Sequence, residues 1–250
     1  MKFSKIVSGV LAGAMAVTFA AAFSGCSKNS EKTTLVMATN AEFPPYEYRE
    51  GDSIIGIDVE IARAIAEDMG LELVIEDMAF DSVIAAVQSG KADIGIAGLT
   101  VDEDRLVNVN FSEPYTTAAQ VVIIKETSAV ASPDDLAGKK IGVQIGTTGA
   151  MYAEDIEDAV VEQYNKGFEA VQALLQDKID AVIIDREPAK VFVSQNEGLI
   201  ILDEEFTVED YAIAIAKDNT ELLDKVNSSL ASLKSSGKLQ EIIGKYISAE

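Results

Sequence analysis

An arginine, an aspartate and a glycine-threonine turn are the residues of this sequence best equipped for chemistry. Arg105 closes the segment Gly98-Leu-Thr-Val-Asp-Glu-Asp-Arg105. A guanidinium grips a carboxylate through two parallel hydrogen bonds, and Thr100 just upstream offers a hydroxyl and its own N–H. The same arginine is also within reach of Asp102, Glu103 and Asp104, so a local ion pair is the competing reading. Asp185 follows the apolar run Ala181-Val-Ile-Ile184 and precedes Arg186 and Pro188. It can pair with an ammonium group, or it can cap a helix whose first turn holds Pro188. Gly146-Thr-Thr-Gly149 stands between a strand pattern and a helix pattern. Free N–H groups at a helix start suit an anion, and a threonine there also serves as a plain cap.

Composition narrows what these residues can be doing. The 250-residue chain is 48% hydrophobic and 25% charged, a globular mixture long enough for one large or two small cores. Its formal net charge of −22 repels phosphate backbones, which sets nucleic acid aside as a partner but leaves room for a locally positive pocket. With no histidine and a single cysteine, zinc sites, haem ligation and His-dependent triads lack their usual groups, so neither metal nor cofactor is expected. One cysteine cannot form an internal disulfide, and the fold must hold by packing.

Residues 1–25 read as a secretory signal: Lys2 and Lys5 begin it, and residues 6–22 are apolar or small apart from Ser8 and Thr18. Phe23-Ser24-Gly25-Cys26 then resembles a lipobox, with cleavage before Cys26 and lipid added to its thiol. Cleavage there removes Lys2 and Lys5 and takes the net charge from −22 to −24. Residues 26–33 are polar and aperiodic, as in a flexible tether.

Beyond the tether, short apolar runs alternate with helical stripes. Strand patterns cover Leu35-Val-Met-Ala-Thr39, the alternation Leu71, Leu73, Ile75, and Asp93-Ile-Gly-Ile-Ala97; helical spacing links Ile61, Ile65 and Met69, and Val83, Ile84 and Val87. The rhythm restarts after Gly138, with strands over residues 140–145, 160–164, 180–184 and 199–202, and helices over 149–156, 168–175 and about 188–194. This is an architecture repeated without sequence repetition, read as two α/β lobes with largely parallel sheets. Residues 116–125 and 207–217 connect the lobes as two antiparallel crossings, a hinge. Residues 220–246 form a helical tail with Leu222, Leu223, Val226, Leu230 and Leu233 on one face. In open α/β sheets ligands bind at the carboxyl ends of strands, where Asn40, Gly98, Gly146 and Asp185 all stand.

In order along the chain, FPPYEY, GIDVEIA, QSGKAD, AGLTVDEDR, GKKIGVQIGTTG and DAVIID resemble the family-three solute-binding proteins, the polar amino-acid receptors of bacterial ABC importers. The resemblance covers essentially everything after Thr34. Gly56-Ile-Asp-Val-Glu-Ile61 with Ala62-Arg-Ala-Ile65 matches the family signature; Asp58 and Glu60 there read as helix-start acids that suit the dipole, structural rather than ligand-touching. The resemblance implies a two-lobed periplasmic-binding-protein type II (Venus-flytrap) α/β fold. Lobe 1 would comprise residues 34–117 and 212–250 and lobe 2 residues 118–211, with hinges near 116–120 and 207–211.

The resemblance also implies roles. Arg105 and the Thr148 N–H would hold the ligand α-carboxylate from opposite lobes, joined by Thr100. Asp185 and the Gly98 carbonyl would hold the α-ammonium. Phe43 and Phe80 would sandwich the ligand side chain, although ordinary core is the commoner fate of any single Phe. Asn40 and Gln144 match side-chain specificity positions; some receptors for basic amino acids carry aspartate where Asn40 stands, and Glu42 lies nearby. The ligand expected is a free polar L-amino acid, neutral or basic. The implied function is an extracytoplasmic, membrane-anchored, monomeric receptor that closes around its ligand and delivers it to permease subunits. An enzyme like cyclohexadienyl dehydratase, or an amino-acid sensor, is the alternative on the same fold. Catalysis would need an acid or base aimed at a reacting atom, and no residue is set aside for that.

Overall fold

The computed structural model describes residues 32–247. The expected signal segment, Cys26 and the first part of the tether lie outside the described residues.

The first half contains β1 (Thr34–Thr39), β2 (Glu42–Phe43), β3 (Glu47–Glu50), β4 (Ser53–Ile55), α1 (Ile57–Asp68), β5 (Glu72–Asp77), α2 (Val83–Gln88), β6 (Ile94–Gly95), α3 (Glu103–Asn108) and β7 (Val109–Phe111). The chain continues through β8 (Thr116–Lys125), β9 (Lys140–Gln144), α4 (Thr148–Glu154), β10 (Val160–Tyr164), α5 (Gly167–Leu175), β11 (Ala181–Asp185), α6 (Arg186–Ser194), β12 (Leu199–Ile201) and β13 (Thr207–Tyr211). It ends with β14 (Ala214–Ala216), α7 (Thr220–Ser235) and α8 (Lys238–Tyr246).

Two sheets carry the architecture, one of order β5-β1-β6-β14-β7 and one of order β10-β9-β11-β8-β12 with β13 also on β8. β1 is parallel to β5 and β6, and β9 is parallel to β10 and β11. β8 and β14 run antiparallel to their neighbours. The apolar run of β8 shows why both faces of the second sheet are covered. Val121 and Ile123 enter one core cluster, whereas Val122 and Ile124 enter another. Successive strand residues face opposite sides, so burying both needs a continuous apolar stretch. β7 belongs to the first sheet and β8 to the second, and β13 belongs to the second and β14 to the first, so the chain crosses between sheets twice.

Three sequence expectations change. The single tail helix is two, broken at Gly237, whose φ of 77° is left-handed backbone that glycine adopts freely. Val226 and Leu230 still bury against the first half, as do Leu239 and Ile242 from α8. The strand expected over 93–97 pairs regularly only at Ile94–Gly95, because the chain turns early to bring Gly98 toward the second sheet. The hairpin β2-β3-β4, helix α3 and strand β7 carry no legible periodicity and were not anticipated. Gly56 holds that hairpin against α1. A Cβ there would stand 2.1 Å from the Tyr46 carbonyl oxygen, so only glycine lets the Asp58 N–H reach that oxygen at 2.9 Å.

Candidate functional site: a pocket between the two sheets

The strand ends converge. Asn40 follows β1, Gly98 and Thr100 follow β6, Gln144 ends β9 just before α4, and Asp185 ends β11. Together with Phe43, Phe80, Arg105, Thr147 and Thr148 they line one narrow pocket. Every binding residue expected from the sequence therefore borders a single cavity, which draws on both sheets.

Arg105 forms the positive wall. Its Nε lies 3.0 Å from Asp102 Oδ2, so the local ion pair exists. It does not hold the arginine at the surface, since only 11% of the side chain is exposed. One terminal nitrogen donates to the Thr100 carbonyl at 2.8 Å and the other to the Gly146 carbonyl, across the cleft, at 3.0 Å. Each terminal nitrogen keeps a second N–H. The guanidinium carbon stands 5.5 Å from the Phe80 ring centroid, which fixes its plane from one side. Burial pulls the Arg105 pKa below its usual value, opposed first by Asp102, and the group stays charged.

Thr100 behaves differently from expectation in one respect. Its hydroxyl donates to Glu209 Oε2 at 3.0 Å and so is turned away from the arginine. Its main chain remains suitable. Thr100 faces Tyr211 in an antiparallel bridge closed by its neighbours, Val101 N–H to the Asp210 carbonyl and Ala212 N–H to the Leu99 carbonyl. That pattern turns the Thr100 N–H and carbonyl to the other side, where the carbonyl meets Arg105.

Asp185 forms the opposite wall. It precedes α6 but makes no side-chain cap bond to it, so the cap reading is set aside. Its carboxylate accepts from the Tyr211 hydroxyl, and it is buried. Burial pushes its pKa up to about 7, with nearby Glu209 adding to the rise and the Tyr211 bond opposing it. Thr147 caps α4 through its side chain, which accepts from Ala150 N–H at 3.2 Å. Thr148 thus occupies the first helical turn, where N–H groups lack intrahelical partners.

Asn40 and Gln144 close another end of the pocket. Asn40 Nδ2 donates to the Met78 carbonyl at 2.9 Å, and Gln144 Nε2 donates to the Asn165 carbonyl at 3.1 Å and to Asn40 Oδ1 at 3.0 Å. Main-chain carbonyls only accept, so they set which way each amide points. Gln144 Nε2 spends both its hydrogens, so the capacity left over is one Asn40 N–H and the acceptor lone pairs of the two side-chain oxygens. Phe43 packs with Tyr46 in the core and still borders the pocket; Phe80 is half-buried at its edge.

Glu209 was missed. It is buried and accepts from Thr100, from Gln120 at 3.1 Å and from Tyr152 at 2.9 Å. It joins the loop after β6 to α4 through strand β13.

The profile of the bacterial extracellular solute-binding proteins, family 3, matches residues 35–249. The chain belongs to that family. Its fold is accordingly the two-lobed type II periplasmic-binding fold. It is 35% identical over 246 residues to the arginine-binding extracellular protein ArtP of Bacillus subtilis, covering 95% of this chain and 96% of that one. A solved ancestral arginine-binding protein bound to arginine superposes with a TM-score of 0.83 at 37% identity, over 86% of this chain and 99% of that one. An ancestral arginine-binding protein bound to glutamine gives 0.81 at 37% identity, over 87% and 99%.

Proposed function

We propose that this family member captures one free polar L-amino acid, neutral or basic, and delivers it to the permease of an ABC importer. The observation that carries the reading is the pairing of two walls in one pocket. Arg105 keeps two unspent N–H groups, and Asp185 is a buried acid with no cation in contact with it among the described residues. A zwitterion supplies both missing partners, its carboxylate to Arg105 with the Thr100 and Thr148 N–H groups, its ammonium to Asp185 and the Gly98 carbonyl. Phe43 and Phe80 flank the ligand stem. The acceptor oxygens of Asn40 and Gln144 favour a side chain whose tip donates. Relatives that carry arginine, and in one structure glutamine, have such tips. The role is binding rather than catalysis, because each polar lining group has a partner on the ligand backbone or side chain.

Closure would hinge near residues 116–120 and 207–211, moving residues 118–211 against residues 34–117 and 212–250. The protein works as a monomer held to the outer face of the membrane through lipid on Cys26. Cys26→Ser should release it to the medium, and a variant that stays with membranes refutes the anchor. The ligand reading is tested by calorimetry with the free amino acids, their methyl esters and their N-acetyl derivatives. Polar amino acids should bind and the blocked forms far less, since each leaves a buried partner unpaired. Equal binding of an amino acid and its methyl ester overturns the reading.

A further inference from the structure

Two carboxyl groups are buried together with no cation against them among the described residues. Glu47 on β3 and Asp58 in the first turn of α1 are both fully excluded from solvent. The main chain sets them side by side, because the Asp58 N–H donates to the carbonyl of Tyr46, the residue before Glu47. Asp58 Oδ2 accepts from the Gly98 N–H at 2.8 Å and from the Tyr115 hydroxyl at 2.9 Å. Asp58 Oδ1 and both Glu47 oxygens receive no hydrogen from any other group, while the two side chains lie within hydrogen-bonding reach of each other.

Three buried oxygens without donors are costly, and two adjacent buried charges more so. One proton resolves most of the problem. Placed on Glu47, it makes a donor that reaches Asp58 Oδ1. Asp58 then remains a carboxylate with three donors. The opposite assignment is worse, since the Gly98 N–H and the Tyr115 O–H serve an ionised Asp58, whereas nothing else serves an ionised Glu47. The other titratable groups acting on the pair are Tyr46, Tyr115, Asp77 and Asp185, and none is a cation. Burial pushes Glu47 well above the carboxylate range, with Asp58 adding to it; Asp58 is held at about 6 by its donors against burial.

The pair bears on the pocket through Gly98. That residue has φ 55°, and a Cβ there would meet the Phe43 and Tyr211 rings at 3.1 Å, so its backbone is wedged between them. Asp58 pins the N–H side of the same turn. We propose that Glu47 is a protonated positioning residue, donating to Asp58 so that the ionised Asp58 anchors the Gly98 turn against the pocket. Its effect on binding rests on the amino-acid reading above; its protonation does not.

The protonation is read by infrared spectroscopy on the unliganded protein at about pH 8, above the values of Asp58 and Asp185. A carboxylic-acid carbonyl band should appear, shift on 13C-glutamate labelling and vanish in Glu47→Gln. Calorimetry with the best ligand then compares two variants. Glu47→Gln, whose amide can donate the same bond, should keep affinity within about threefold, and Glu47→Leu, which leaves Asp58 Oδ1 without a donor, should lose about tenfold or more. Absence of a glutamate-labelled acid band overturns the proposal, as does Glu47→Gln binding no better than Glu47→Leu. Should Glu47→Leu not fold, the wild-type band decides alone. Should no amino acid bind, the functional reading fails while the band still tests the pair.

Discussion

The two charged walls of the pocket are built on opposite principles. Arg105 is braced before any ligand arrives: Asp102 balances its charge, two carbonyls orient it, and Phe80 covers one face. Asp185 is buried with a tyrosine hydroxyl and a second acid nearby, and its pKa has risen to about 7 in consequence. One wall presents a fixed charge in a fixed orientation. The other has a charge that burial disfavours and that no contacting cation among the described residues balances. On the proposed reading, preorganisation at the Arg105 end and an unbalanced buried acid at the Asp185 end together would favour a ligand with both charges over one with either alone.

The comparison breaks most visibly if either wall is removed. Truncating one partner of a buried charged pair costs about 2–5 kcal/mol, roughly 30-fold to several thousand-fold in affinity. Arg105→Ala and Asp185→Ala should both lose that much by calorimetry, and small-angle scattering should show neither compacting at ligand concentrations that close the wild type. Their unliganded stabilities should move in opposite directions. Arg105→Ala leaves two carbonyls without their donor and Asp102 without its counter-charge, and should lower the melting temperature. Asp185→Asn removes a buried charge yet keeps an acceptor for Tyr211, and should hold or raise it. Near-wild-type affinity in either variant removes that residue from the site.

The next effect sharpens the contrast through pH. If the proposed contact holds, a ligand ammonium prefers the ionised Asp185, so binding below about pH 7 should release its proton. Affinity should be flat above pH 7 and fall by up to about tenfold per unit below it. Asp58, at about 6, adds its own loss only at lower pH. Arg105 does not titrate in this range. Calorimetry near pH 6 in buffers of different ionisation enthalpy should report the released proton, and Asp185→Asn should report none. Proton release that survives in Asp185→Asn would assign it to another group.

Much of this site was legible because its chemistry stands at the ends of clear strands. Asn40, Gly98, Gln144 and Asp185 each follow an apolar run, and turn glycines mark where the chain leaves the sheet. What was hidden is buried polarity. In β13 Val208 is 63% exposed while Glu209 is buried, the reverse of what hydropathy suggests. Glu47 in FPPYEY is hidden in the same way, for its neighbour Tyr48 faces outward more than it does. No local pattern announces a buried acid, because its donors come from distant segments: Thr100, Gln120 and Tyr152 for Glu209, and Asp58 for Glu47. The break at Gly237 does carry a local signal. On one continuous helix Leu222, Val226, Leu230 and Leu233 would share a face while Leu239 and Ile242 would lie on the opposite one, so the stripe changes phase across Ser236-Gly237.

Stability of the unliganded protein should carry a smaller version of the same asymmetry. Asp185 and Asp58 have folded pKa values raised by burial above an ordinary value of 3.8. The native state therefore binds more protons than the unfolded chain between about pH 4 and pH 7. The associated stability is complete below the unfolded values and is lost as pH rises through about 6 and 7. The melting temperature should thus rise on acidification from pH 8 to about 5.5, against the usual expectation for an acid-rich chain. Asp185→Asn should flatten the slope. An unchanged slope in that variant would show that Asp185 does not set it.

The smallest effect is expected at the mouth of the cleft, where Lys166 and Glu42 pair across it at 2.5 Å. This contact has the same charge logic as the inner walls, but 43% of the Lys166 side chain and 32% of that of Glu42 are exposed. Water solvates both charges in the open and closed states alike, so the pair gains little on closure; exposed ion pairs contribute about 0–1 kcal/mol. Lys166→Met should weaken ligand binding by less than about threefold at low salt. The difference should shrink further near 0.15 M salt, where screening extends over about 8 Å. Affinity measured at both salt concentrations, with dissociation rates from stopped flow, decides the matter. A loss beyond about tenfold that persists in salt would mean the rim holds the lobes together, and the inner charges would then serve recognition rather than closure.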